Sequence, residues 1–187
     1  MRLTTERAPG AGRRLSRWRR ALLVVTVLIA AFAVVTGRLF VWPAQGMPSQ
    51  VSAIVMLAGP GDRLSTALEL ARRHRAGVLV VSQGLLGYGG PCPAAPPGVK
   101  LICFDPDPGN TRGEAEFAGR LAKKYHWTSV VLVTSRAQDT RGRVVVGRCF
   151  PGQLFVVTAP LNLGDWPYQI AYEWGALFKA LALYRSC

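Results

Sequence analysis

The sequence predicts an α/β domain with a five-stranded parallel sheet, ordered 3-2-1-4-5, behind a single membrane-crossing helix. Three observations carry this. Apolar runs of strand length alternate with helical patterns from residue 51 to the C-terminus. The first run, VSAIVMLA at 51–58, breaks into Gly59-Pro60-Gly61 and restarts at Asp62 as a helix, so a buried strand leads through a glycine turn into a helix. Upstream, residues 21–37 (ALLVVTVLIAAFAVVTG) carry no charge.

The 187 residues suffice for one domain and an appendage. The formal charge is +13, unevenly spread: residues 1–20 hold seven arginines and one acid, whereas 43–187 hold fifteen basic and nine acidic residues. Half of the basicity is therefore a tail. Only four of the 23 basic residues are lysines, as a GC-rich coding sequence produces. With no basic run interleaved with aromatics, no nucleic-acid partner is expected.

Residues 21–42 as a helix reach roughly 33 Å, enough for a bilayer core of about 30 Å. Trp18 and Trp42 bracket the span, and Arg38 can snorkel from its end. The basic tail, 1–20, is expected to stay cytoplasmic and residues 43–187 to lie outside. A cleaved signal peptide is the competing reading. Its small-x-small candidate, Ala31-Phe32-Ala33, sits inside the apolar run rather than after it. Either way the domain is exported.

Residues 43–50 read as a polar linker. Strands are predicted at 51–58, 78–82, 99–104, 129–134 and 154–158. Helices are predicted at 63–75, from 111 to about 125, at 136–150 and at 166–184. Asp62, Ser135 and Asp165 are expected to cap helices, Thr111-x-x-Glu114 reads as a capping box, and Gly77 is expected to stop the first domain helix. The Gly- and Pro-rich stretch 85–98 is long for an α/β connection. The order follows from right-handed crossovers, with the fourth strand leaving the middle on the opposite side.

Cys92, Cys103, Cys149 and Cys187 all fall in the exported part, where thiols oxidise. Four cysteines allow three connectivities. Pairing Cys92 with Cys103 pins a loop containing Pro93, Pro96, Pro97 and Gly98; pairing Cys149 with Cys187 ties a helix end to the chain end. Zinc is disfavoured by the wide spacings, the lack of C-x-x-C and the presence of only two histidines, His74 and His126, so no metal is expected.

Four short motifs resemble one family. They are Gly59-Pro-Gly-Asp-Arg63 after the first strand, Val81-Ser82-Gln83-Gly84 ending the second, Asp105 five residues before Asn110-Thr111, and Val133-Thr134-Ser135 followed by Arg141. Together they are similar to the SanA/YdcF/ElyC family of bacterial envelope proteins, over about residues 51–173. The resemblance implies a Rossmann-like fold, often behind an N-terminal anchor, and a link to barrier function and peptidoglycan metabolism. One cytoplasmic relative is linked to S-adenosylmethionine. That cofactor is not expected outside the cell, and none is expected here. Two positions depart from the family pattern: Gln138 stands where a histidine is usual, and Gly113, followed by Glu114, stands where a glutamate is usual.

In a 3-2-1-4-5 sheet the ends of strands 1 and 4 flank the switch point, where ligands bind. This brings Gly59, Gly61 and Arg63 towards Ser135, Arg136 and Arg141, with Ser82, Gly84, Asn110 and Thr111 from neighbouring strand ends. Glycines admit a ligand to the backbone, helix starts offer free N–H groups and arginines clamp anions. An anionic, phosphorylated envelope ligand, either a small molecule or lipid-linked, is therefore expected. The turn is not G-x-G-x-x-G, and Pro60 lacks an N–H, so it is not a nucleotide fingerprint. Plainer roles compete: glycines that only turn the chain, Thr111 and Ser135 as caps, Asn110 in an Asx turn, Arg141 solvated, and Trp166, Tyr168, Tyr172 and Trp174 as packing. For an enzyme acting on envelope precursors, Asp105 with Glu114 is the candidate carboxylate pair and Ser135 the candidate hydroxyl, with no histidine near it. A partner-binding module with a degenerate pocket is the third reading.

Overall fold

A computed structural model of the chain describes residues 11–84 and 92–187. Residues 1–10 of the tail and the first half of the expected 85–98 loop, residues 85–91, lie outside the described residues. Two compact units are present, 1–38 and 39–187. Helix α1, Ala11–Thr36, passes into a π-helical turn, Gly37–Val41. Arg17–Val41 forms one helix long and apolar enough to cross a membrane.

The second unit is the expected α/β domain. Its elements are β1 (Ala53–Met56), α2 (Arg63–Arg72), β2 (Val78–Ser82), β3 (Lys100–Phe104), α3 (Thr111–Tyr125), β4 (Ser129–Ser135), α4 (Asp139–Cys149), β5 (Gln153–Ala159) and α5 (Trp166–Ala182). The strands form one five-stranded sheet ordered β3-β2-β1-β4-β5. Every neighbouring pair is parallel, with Val55 between Val80 and Leu132 at the centre. β1 is buried throughout, as a strand covered on both faces must be.

Alternation along the strands assigns the two faces. Ile54, Met56, Leu79, Val81, Val131 and Val133 pack under α2 against Ala67 and Ala71. Ala53, Val55, Leu57, Val80 and Leu132 face α3 and α4 with Ala115, Ala118 and Val146. Alanines on the inner helix faces let the helices approach the sheet closely. α5 lies beside α4. Both expected disulfides are formed: Cys92–Cys103, with Cα atoms 5.9 Å apart, and Cys149–Cys187, 5.0 Å apart.

Some local expectations are corrected. α3 is capped by Asn110, not Thr111: Asn110 Oδ1 accepts from Arg112 N at 2.8 Å. No capping box forms, because the Glu114 carboxylate accepts a hydrogen bond from Ala58 N at 2.6 Å instead. α2 ends before Gly77, through His74 in a left-handed conformation (φ 50°). Asp62, Ser135 and Asp165 stand before their helices without a side-chain capping bond, and a 3-10 turn, Arg136–Gln138, precedes α4. The linker is not free. Gly46 bridges Val156 on edge strand β5, Gln45 Nε2 donates to Asp139 Oδ2 at 3.0 Å, and Met47 joins the α2-side core. It covers an edge that would otherwise present unpaired backbone groups. Phe40, fully buried, packs edge-on against Trp174 of α5 at 5.3 Å.

Candidate functional site

A cavity of about 590 Å³ opens at the carboxyl ends of the strands, in the size range of small-molecule sites. The turn after β1 contributes Ala58, Gly59 and Pro60, and the end of β2 contributes Gly84. The start of α3 contributes Asn110, Thr111 and Glu114. Gln138 and Arg141 come from the start of α4, and the far wall is α5 with Asp165 before it. This is the switch-point position that the topology requires.

Arg141 organises the middle of the cavity. Its Nε and Nη2 donate to Glu173 Oε2 and Oε1 at 2.7 and 2.8 Å, a bidentate pair, and its Nη1 donates to Thr111 Oγ1 at 2.6 Å. Burial works against the guanidinium charge, but the Glu173 hydrogen bonds and charge outweigh it and hold the Arg141 pKa above its usual value. The same Thr111 oxygen accepts from Gln138 Nε2 at 3.2 Å. Gln138 is thus an amide that helps to orient Thr111. Among the described residues three of the five guanidinium N–H groups find partners, and the other two are donors a ligand could use.

Glu114 is the second charged feature. It is 3% exposed and lines the cavity, and its described hydrogen bond is to Ala58 N. Burial pushes its pKa up, against the restraining effects of Ser82, the Ala58 N–H and the more distant Arg63 and Arg141 charges. Ser82 Oγ is fully buried near this carboxyl but does not reach hydrogen-bond geometry with any described group. A carboxyl in such a place is suited to carrying a proton.

Arg63 does not line the cavity. Its guanidinium turns back under the glycine turn, where Nε donates to Pro60 O at 2.9 Å and Nη1 to Leu57 O at 3.1 Å and Ala58 O at 2.6 Å. Nη2 donates to Ser135 Oγ at 3.2 Å. Its unfavourable position at a helix start is explained by these carbonyls, not by a ligand. Burial pushes its pKa down to about 10, with Glu114 opposing. Gly59 (φ 134°) is required by this packing: a Cβ there would lie 2.7 Å from Arg63 Nη2. Gly61 (φ 97°) packs against Pro160 O rather than facing the cavity.

Of the expected ligand contacts, Gly59, Gly84, Asn110, Thr111 and Arg141 meet at the cavity, whereas Gly61, Arg63, Ser82, Ser135 and Arg136 do not line it. Ser82 and Ser135 are fully buried, and Arg136 is exposed. The carboxylate pair is not assembled: Asp105 is exposed and outside the cavity wall that holds Glu114. Ser135 accepts from Arg63, and no histidine accompanies it.

Sequence reasoning missed α5. Tyr168 and Tyr172, expected to pack, are 68% and 51% exposed and line the cavity with Gln169 and Glu173. A signal was present. Gln169, Glu173, Leu177 and Ala180 follow helical spacing and form the buried face of α5, so the one acid of that helix lies on the buried face and needs a partner. Trp174 does pack, on Phe40. Among the described residues no group of three or more His, Cys, Asp or Glu could hold a metal ion.

No protein-family model, no curated protein and no solved structure matches the chain. The geometry of the cavity therefore carries the functional reading.

Proposed function

We propose that this is a membrane-anchored, extracytoplasmic domain of the cell envelope that binds a small anionic, phosphorylated ligand in the switch-point cavity. The observation that carries the reading is Arg141, a guanidinium fixed at the cavity wall by Glu173 and Thr111 with N–H groups left over. Helix polarity supports it. The N-terminus of α3, at Asn110 and Thr111, adds its partial positive charge at the same wall. The two disulfides favour an oxidising compartment, and the apolar helix with its arginine-rich start favours a cytoplasmic N-terminus. The motif resemblance to the SanA/YdcF/ElyC family supports a role in envelope biogenesis or barrier function.

The test uses full-length protein in detergent and calorimetric titration with inorganic phosphate and glycosyl phosphates. An R141M/E173Q double variant removes the charge without stranding a buried carboxylate. Loss of binding by more than tenfold is expected, and unchanged affinity would refute the anionic reading. Protease treatment of spheroplasts, with residues 43–187 digested only when added from outside, tests the orientation.

A second reading, an enzyme acting on phosphorylated envelope precursors, is favoured by Glu114, a buried carboxyl of raised pKa inside the cavity. Glu114→Gln would then abolish turnover while ligand still binds. Retained turnover in that variant removes this reading.

A further inference from the structure

We propose that Tyr168 and Tyr172 form a stacking platform for a sugar ring, so that the cavity's ligand is a glycoside or glycosyl phosphate. The proposal rests on the ligand-binding reading of the cavity and gives it a substrate class. The two tyrosines are four residues apart on α5, one turn of the helix. Their rings stack at a centroid distance of 6.2 Å and an interplanar angle of 21°, and both line the cavity. They remain 68% and 51% exposed, so two aromatic surfaces border the cavity mouth. The Arg141 guanidinium lies 5.8 Å from the Tyr172 ring centroid, which joins the platform to the cavity's cation.

The polar lining selects among ring-shaped ligands. Three carboxyl groups, Glu114, Asp165 and Glu173, border the same space as the single guanidinium, which Glu173 already pairs. Carboxylates only accept hydrogen bonds, so beside them a ligand that carries hydroxyl donors is favoured over one that offers acceptors alone. A pyranose brings what these groups lack. Its hydroxyls donate to carboxylates and accept from Arg141 and the Gln169 amide, while its C–H faces lie on tyrosine rings. A nucleobase would also stack, but it brings few hydrogen-bond donors for three carboxyl groups.

Saturation-transfer NMR and calorimetric titration of the full-length protein in detergent test this. The probes are methyl glycosides of glucose, galactose, mannose and N-acetylglucosamine, the corresponding 1-phosphates, inorganic phosphate and adenosine monophosphate. At least one glycoside or its 1-phosphate is expected to bind more tightly than adenosine monophosphate. Tyr168→Ala and Tyr172→Ala are each expected to weaken it about tenfold, with phenylalanine at either position retaining affinity. Both side chains are exposed, and unchanged circular dichroism establishes that the variants fold. Binding of no sugar, tighter binding of the nucleotide, or sugar binding unaffected by the alanine variants overturns the platform. Arg141-dependent binding of inorganic phosphate without any sugar overturns it but leaves the anionic reading standing. Equal, tyrosine-dependent binding of neutral glycosides and their phosphates keeps the platform and removes the anionic reading.

Discussion

Replacing Arg63 by methionine separates two roles that an arginine beside a glycine turn can play. In the structure Arg63 is 2% exposed, and its guanidinium serves three main-chain carbonyls and the Ser135 hydroxyl. Methionine keeps much of the volume but donates nothing, leaving Leu57 O, Ala58 O and Pro60 O short of a donor. Each buried polar group so orphaned costs about 1–3 kcal/mol. Against this stands relief from burying a charge. Burial pushes the Arg63 pKa down from its usual value to about 10, which places that cost on the order of 3 kcal/mol. The terms do not add simply, and a net loss of about 3 kcal/mol is expected. Urea unfolding of the full chain in detergent should show a midpoint lower by about 1.5 M, taking a slope of about 2 kcal/mol per M. Gly59→Ala should destabilise the same contact, because its Cβ would meet the guanidinium at 2.7 Å. The double variant should therefore lose less than the sum of the singles. An Arg63→Met variant within about 0.5 kcal/mol of wild type would refute the account. Unchanged stability with lost ligand binding would return Arg63 to the role of anion clamp.

Glu114→Gln should change how stability depends on pH. The folded-state pKa of Glu114 is raised, so the native state holds the proton more tightly than the unfolded chain. Its contribution to stability is full below the unfolded value and is lost as pH rises through the folded one. Thermal melts should show wild type losing stability over that window relative to the glutamine variant; parallel curves would refute the shift. Opening Cys149–Cys187 with a double serine variant should cost about 3–4 kcal/mol for a separation of 38 residues, read as a fall in melting temperature of about 10 °C. A fall of under about 2 °C would mean that the bridge constrains little. Gly113→Ala should destabilise by more than about 2 kcal/mol, because its Cβ would lie 2.0 Å from Pro108 O. A wild-type urea midpoint would show that the 105–110 loop yields.

The sheet was legible because its signal is local. Five apolar runs separated by helical patterns determine the strands, and handedness with strand count then leaves few orders. The observed order β3-β2-β1-β4-β5 follows from that reasoning, and the even number of cysteines anticipated two bridges. The capping box failed because a carboxylate three residues into a helix can choose between the helix's own start and any backbone N–H opposite. Here Ala58 N is that alternative. Pattern cannot reveal it, since β1 and α3 meet only after the sheet is assembled.

The site was legible in its position but not in its charge balance. Sequence reasoning counted arginines near the switch point as free cations. Whether an arginine is available depends on where its five N–H groups are spent, and that is set by long-range neighbours. Arg63 spends its donors six or fewer residues away and on Ser135, while Arg141 spends three on Glu173 and Thr111. Arg63 is buried and Arg141 partly so, and only the second lines the cavity. The same accounting explains why α5 matters. A lone acid on the inner face of a helix is costly unless a cation meets it, so Glu173 and Arg141 fix each other. That pairing brings α5, and with it Tyr168 and Tyr172, to the cavity. The aromatic rim is thus a consequence of satisfying one buried carboxylate, and a single substitution such as Glu173→Gln should loosen the cation and the rim together.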